Sequence, residues 1–314
     1  MTLAGALTTA ILPVLAIAAA GAILGTVRDV SVDALATISL YVLTPALVFY
    51  SLSTTALSGT AVVGVAAGVT AFTLVMIGLA LAVARVMGAD VGLRNAVALT
   101  SAFPNSGNYG IPLATFAFGT IGASTAVLFL AAQSILVYTL GVVLASRGGG
   151  TDLRRAATQV FRLPLLYAAA AAGIARGLDV VPTGSVMDTI QLTGEAAIPV
   201  MLLLLGVQLV QTRHGRAVAG VAPAAVLKLV VAPVVGAGLA IGVGFDDATV
   251  ARVFVLETAM PAAVTPLMLA VEFGGGDDGV STAGYVSTAI MVTTVASIVT
   301  LTVVLALLQS GAIL

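Results

Sequence analysis

The chain has 314 residues, 60% of them hydrophobic and 8% charged, with a mean hydropathy of +1.18 and a formal net charge of -1. Soluble globular domains carry about 25% charged residues, so this composition describes a membrane protein, and apolar stretches run almost end to end with no room for a soluble domain. The charge balance excludes the basic surface that nucleic acids require, and the absence of cysteine excludes disulfide and thiol chemistry.

Hydropathy and Gly/Pro punctuation predict ten spans, near residues 4–27, 33–53, 60–87, 93–118, 122–146, 163–178, 185–211, 216–244, 249–273 and 280–309. The first has no basic region before it and is long enough to span, so it reads as a retained helix rather than a signal peptide. A bilayer core of about 30 Å needs about 20 helical residues, so the long third span is expected to tilt and the short sixth to begin before Leu163. In the second span Tyr41 and Thr44 precede Pro45; they can reach a cavity or bond to neighbouring helices.

Span four contains the most informative segment, T-S-A-F-P-N-S-G-N-Y-G-I-P-L at residues 100–113. A continuous helix cannot hold it. Pro104 and Pro112 each lack an N–H and crowd the carbonyl four residues earlier, which frees the carbonyls of Thr100 and Asn108. Freed backbone groups at bilayer depth must be buried in protein or line a polar cavity. Asn105 falls about 12 residues into the span, roughly 18 Å along a helix and close to mid-membrane. Its amide and that of Asn108 offer donors and acceptors beside Gly107, Tyr109 and Gly110, and a half-helix restarting near Ile111 presents unpaired N–H groups. The alternative is that both asparagines only cap broken ends. In span nine Pro261 and Pro266, flanking Thr265, are expected to make a second break that frees the carbonyls of Glu257 and Ala262. Two half-helix N-termini facing one cavity favour an anion, most simply a carboxylate.

The remaining polar residues sort by position. Glu195, Lys228 and Glu257 fall within spans seven, eight and nine, where ionisable groups are expensive. Glu257 lies one turn before Pro261 and is a candidate proton carrier or sodium ligand, or else half of an ion pair with Lys228. Lys228 could also attract an anionic substrate. Glu195, one turn before Pro199, reads as a packing residue. Gln133 and Tyr138 in span five, and Ser287 and Thr288 in span ten, share the ambiguity of Tyr41 and Thr44. His214, beside Arg213 and Arg216, reads as a solvated residue at a membrane interface.

Basic residues set the orientation. Arg28, Arg85, Arg94, Arg147, Arg154, Arg155, Arg162, Arg213 and Arg216 lie in or beside odd-numbered loops, whereas only Arg176 and Arg252 flank even ones. The odd loops are therefore expected in the cytoplasm and both termini outside, in a multi-pass protein of the cell membrane. The loop at 147–162 reads as a topology determinant, with contact to anionic lipid as the alternative.

That loop separates two similar halves, 1–146 and 163–314. Leu12-Pro13 recurs as Leu163-Pro164, Pro45 as Pro199, Phe103-Pro104 as Met260-Pro261, and Pro112-Leu113 as Pro266-Leu267, while Phe118-Gly119 recurs as Phe273-Gly274 and the G-A-S-T-A run from Gly122 as G-V-S-T-A from Gly279. The partners lie 151 to 157 residues apart and keep their order. Five spans per half is an odd number, so the second half must insert upside down, and inverted repeats of this kind bind substrate at the midplane between halves.

The N-x-G-x-x-G-I-P-L segment from Asn105, the T-P-A-L-V-F segment from Thr44 and the M-P-A-A-V-T-P segment from Met260 resemble the auxin efflux carrier family over the whole chain. The resemblance implies a ten-helix fold shared with bile-acid transporters, in which spans four and nine are broken and cross, substrate binds at the crossing, and one bundle moves like an elevator against a scaffold. It implies an auxin-like acid or a small dicarboxylate as substrate and frequent assembly as a homodimer; no cofactor is expected, and Glu257 is the candidate for coupling to H+ or Na+. The long central cytoplasmic loop of the plant carriers is missing here. No enzyme motif stands against this: there is no H-E-x-x-H, no G-x-S-x-G paired with histidine, and one histidine in all. The reading is a secondary carrier of a small organic anion, with a non-transporting receptor for such an anion as the alternative.

Overall fold

The computed structural model describes residues 5, 7–55, 57–146, 158–211, 218–273 and 282–314. Arg147, Arg154, Arg155, Arg213, His214, Arg216, Gly274 and Gly279 lie outside the described residues, so the basic loop and part of the repeat pattern are not placed. Among the described residues the fold is helical throughout: α1 Thr8–Val27, α2 Val32–Thr54, α3 Gly59–Val86, α4 Val91–Ala102, α5 Ser106–Ala145, α6 Pro164–Gly177, α7 Ser185–Gln211, α8 Ala222–Val243, α9 Ala248–Thr258, α10 Thr265–Phe273 and α11 Thr282–Ser310. Seven of these, α1, α2, α3, α5, α7, α8 and α11, are long and apolar enough to cross a membrane.

The difference from ten lies in segments four, five, six and nine. Segment four is split into α4 and the front of α5, and α5 continues through a sharp turn at Gly119 (φ 62°) into segment five. Only glycine enters that backbone region without strain. Segment nine is split into α9 and α10, of 11 and 9 residues, and α6 has only 14.

The prolines act in two ways. Pro13, Pro45, Pro112 and Pro233 each follow a π turn, Leu7–Ile11, Ser39–Leu43, Ser106–Gly110 and Leu227–Val231. One inserted residue widens the turn where the proline ring would otherwise strike a carbonyl, and the helix continues. Pro104 and Pro261 have no such turn before them, and there the helices end. The two interrupted helices start alike: the Asp90 carboxylate accepts the Leu93 N–H at the head of α4, and that of Asp247 accepts the Thr249 N–H at the head of α9.

The helices pack in two groups. α1 lies along α7, and α2 along α6 and α7; α3 with α4, α8 with α9, α4 with α11, α9 with α5, and α10 with α11 make up the second group. The α1–α7 contact is close because Gly21 faces the Leu203 backbone and Gly206 faces the backbones of Ala18 and Ala22, so a Cβ at either glycine would collide. Connecting segments touch as well: Gln211 donates to the Val30 carbonyl, Thr60 to Asp246, Arg176 to the Leu52 and Leu57 carbonyls, and Arg252 to the Leu314 carbonyl.

Candidate binding site at the meeting of two broken helices

The breaks meet and pair their backbones. After α4 ends at Ala102, the Phe103 carbonyl accepts the Ala263 N–H (3.0 Å) and the Asn105 N–H donates to the Pro261 carbonyl (2.8 Å), a short antiparallel bridge centred on Pro104 and Ala262. Helix breaks leave orphan donors and acceptors, and these two hydrogen bonds satisfy four of them across the crossing. Each break is also braced by a helix of the second group. Gln133 of α5 donates from Nε2 to the Pro104 carbonyl (2.8 Å), and Thr293 of α11 accepts the Ala262 N–H at its hydroxyl (3.2 Å). The Glu257 carbonyl, expected to be free, accepts the Met260 N–H (3.2 Å), because the chain after Thr258 turns tightly before it straightens.

A cavity of about 180 Å³ opens beside the crossing, at the seam between the two helix groups. The second group contributes the break residues Pro104, Asn105, Ser106, Gly107 and Asn108, the α5 residues Gln133, Ser134 and Tyr138, and the start of α10 at Val264 and Thr265. The first group contributes Ser39, Leu40 and Thr44 from α2, Leu163 and Leu165 at α6, and Met201, Leu204 and Gln208 from α7. The front turns of α5 and α10 both border this space. The Ser106 N–H is taken by the Pro104 carbonyl and the Leu267 and Met268 N–H groups by the Val264 carbonyl, so what both helix starts bring to this one cavity is the positive end of the helix dipole. Among the described residues the cavity lining contains no charged side chain.

Of the residues expected at a site, the cavity gathers Asn105, Gly107, Asn108, Pro104, Thr265 and Thr44. Asn105 is buried and makes no capping bond to the turn it precedes, and its amide nitrogen has no partner. Tyr41 does not line the cavity; it is exposed on the outer side of α2. Tyr109, Gly110, Pro112, Pro261 and Pro266 also lie outside the lining, buried behind the break they shape. Tyr109 instead borders a second, apolar cavity of about 330 Å³ between α1, α7 and α11. Ser287 and Thr288 are not in the lining either, whereas Gln133 and Tyr138 are. Ser39, Ser134 and Gln208 were not singled out from sequence; the available signal was an isolated polar residue in an apolar run.

The sequence matches the family described as membrane transport protein over residues 6–162 and 155–305. The chain belongs to that family. This is the auxin efflux carrier family to which the break motifs pointed. An uncharacterized transporter of Methanothermobacter thermautotrophicus is 29% identical over 205 residues, covering 65% of this chain and 67% of its own length. The protein is thus a multi-pass membrane transporter, and its partners are the bilayer and a small-molecule substrate.

Two ionisable groups of this transporter are fully buried behind the crossing. Lys228 of α8 donates to the Thr258 carbonyl (3.2 Å) and stands 5.4 Å from the centroid of the Phe72 ring. Glu257 of α9 attracts Lys228 electrostatically, yet neither of its carboxyl oxygens has a hydrogen-bond partner. The carboxyl fills the space beside Gly110 that a Cβ would need. Glu195 is exposed on α7, where it accepts from Gln191 (2.7 Å), away from both cavities.

Proposed function

We propose that the protein is a secondary carrier of a small organic anion, an auxin-like acid or a dicarboxylate, held in the cavity at the crossing and moved by alternating access. The observation that carries this reading is that two helix N-termini and the amides of Asn105 and Asn108 border one uncharged cavity. Fixed N–H dipoles stabilise an anion there without burying a permanent cation beside it.

The wider architecture in this proposal is ten spans in two inverted repeats, 1–146 and 163–314, joined by the linker 147–162. The helix pairings support it: exchanging α1, α2, α3, α4 and α5 for α6, α7, α8, α9 and α10 with α11 turns α1–α7 into α6–α2, α3–α4 into α8–α9, and α4–α11 into α9–α5. With ten spans, the contacts between connecting segments join odd loops to odd and even to even, which supports ten crossings, with termini on the side of the even loops. The second group is the moving body, sliding like an elevator against α1, α2, α6 and α7, with the odd loops in the cytoplasm of a cell membrane. Glu257, with Lys228 near it, is the coupling candidate for H+ or Na+.

The test is uptake of radiolabelled carboxylates and indole acids into proteoliposomes, with and without pH and sodium gradients, for wild type and Asn108→Ala. Saturable uptake that the substitution abolishes is expected. Binding without uptake would replace the carrier by a receptor.

A further inference from the structure

Some of the unpaired buried polar atoms belong to residues of the cavity wall. Buried side chains nearly always find partners. Three that line this cavity do not complete their bonding: the amide nitrogen of Asn105, the hydroxyl of Ser106 and the amide oxygen of Gln133. Gln133 is the informative one, because its orientation is fixed by chemistry. Its partner, the Pro104 carbonyl, only accepts, so the amide nitrogen must face it, at 2.8 Å, and the amide oxygen is turned elsewhere. That oxygen is buried, on a residue that is 5% exposed, and no group among the described residues donates to it.

A carboxylate suits the donor side of this cavity, the Asn105 amide nitrogen and the positive ends of the α5 and α10 dipoles. It cannot satisfy Gln133, since it has no hydrogen to give. We infer that Gln133 selects, among small organic acids, those that carry a hydrogen-bond donor beside the carboxylate, a hydroxy acid above its counterpart without the hydroxyl. This rests on the anion-carrier reading and adds a specificity residue to it. A ligand hydroxyl gives the Gln133 oxygen the donor it lacks in the empty protein, whereas an acid without one leaves that oxygen as it was, so the gain goes to the matched ligand alone.

The experiment is calorimetric titration of the purified protein with matched pairs, malate against succinate and lactate against propionate. Wild type is expected to bind the hydroxylated member of a pair about tenfold more tightly. In Gln133→Leu that ratio falls to about one while the plain acid still binds. Gln133→Lys keeps a donor for the Pro104 carbonyl but has no acceptor, so its ratio falls likewise even if the leucine variant does not fold. Equal affinities in wild type, or a ratio that survives both substitutions, overturn the inference and leave the carrier standing. Absence of binding by every acid overturns the anion reading together with the inference.

Discussion

Gly110 is a glycine because of Glu257: the buried carboxyl of α9 occupies the place where a Cβ on the α5 front turn would stand. The contact ties the restart of one broken helix to the end of the other's first half. Gly110→Ala is expected to cost about 1–3 kcal/mol through overpacking. Gly107→Ala, whose Cβ would meet Leu130 at an ordinary 3.6 Å, is expected to be nearly neutral. Thermal unfolding in detergent compares the two. In a Glu257→Ala background the penalty at Gly110 shrinks, and an undiminished penalty there would show that the carboxyl is not the obstacle.

The braces of the crossing can be removed one at a time. Thr293→Val leaves the Ala262 N–H unpaired and is expected to destabilise by about 1–3 kcal/mol, while Thr293→Ser, which keeps the hydroxyl, recovers most of the loss. Chemical denaturation of the three proteins reads this directly.

Asn105 separates structure from binding, because its backbone makes the crossing while its side chain makes no capping bond and its amide nitrogen has no partner among the described residues. Asn105→Ala should leave stability within about 0.5 kcal/mol of wild type and weaken ligand binding. A large loss of stability would return the side chain to a structural role.

Lys228 and Glu257 are expected to behave as a coupled pair through space, since the Lys228 ammonium bonds the Thr258 carbonyl rather than the carboxyl, and the double variant Lys228→Met with Glu257→Gln should cost less than the two single changes added together. Additive losses would mean that the two charges do not sense one another.

Much of the site was legible because proline and glycine act locally. Pro104 and Pro261 announced breaks, and both helices end there; Asn105 and Asn108 were singled out by their place beside the first break, and both line the cavity. The misassignments came from rotation. Tyr41 lies within the Ser39–Leu43 π turn and Thr44 directly after it, and the extra residue of that turn rotates the helix by roughly 100° relative to a regular one. One residue therefore faces outward and the other the cavity, which a regular period does not reveal. The freed Glu257 carbonyl was misjudged for a related reason: a tight turn supplies its own donor, and turns of that kind leave no mark in an apolar sequence. Gln133 was visible as a polar residue in span five, but its bond to Pro104 is a contact across 29 residues that only the folded chain defines.

Hydrogen-bonding capacity around the cavity is distributed unequally. The wall from the second group carries Asn105, Asn108, Gln133 and Thr265, whereas the facing wall is largely Leu40, Leu163, Leu165, Met201 and Leu204. Under the proposed mechanism a ligand would be gripped by one surface and merely lubricated by the other. Sliding then exchanges one van der Waals contact for the next and breaks few directional bonds, so friction at the seam, rather than release of the cargo, would set the pace of the stroke.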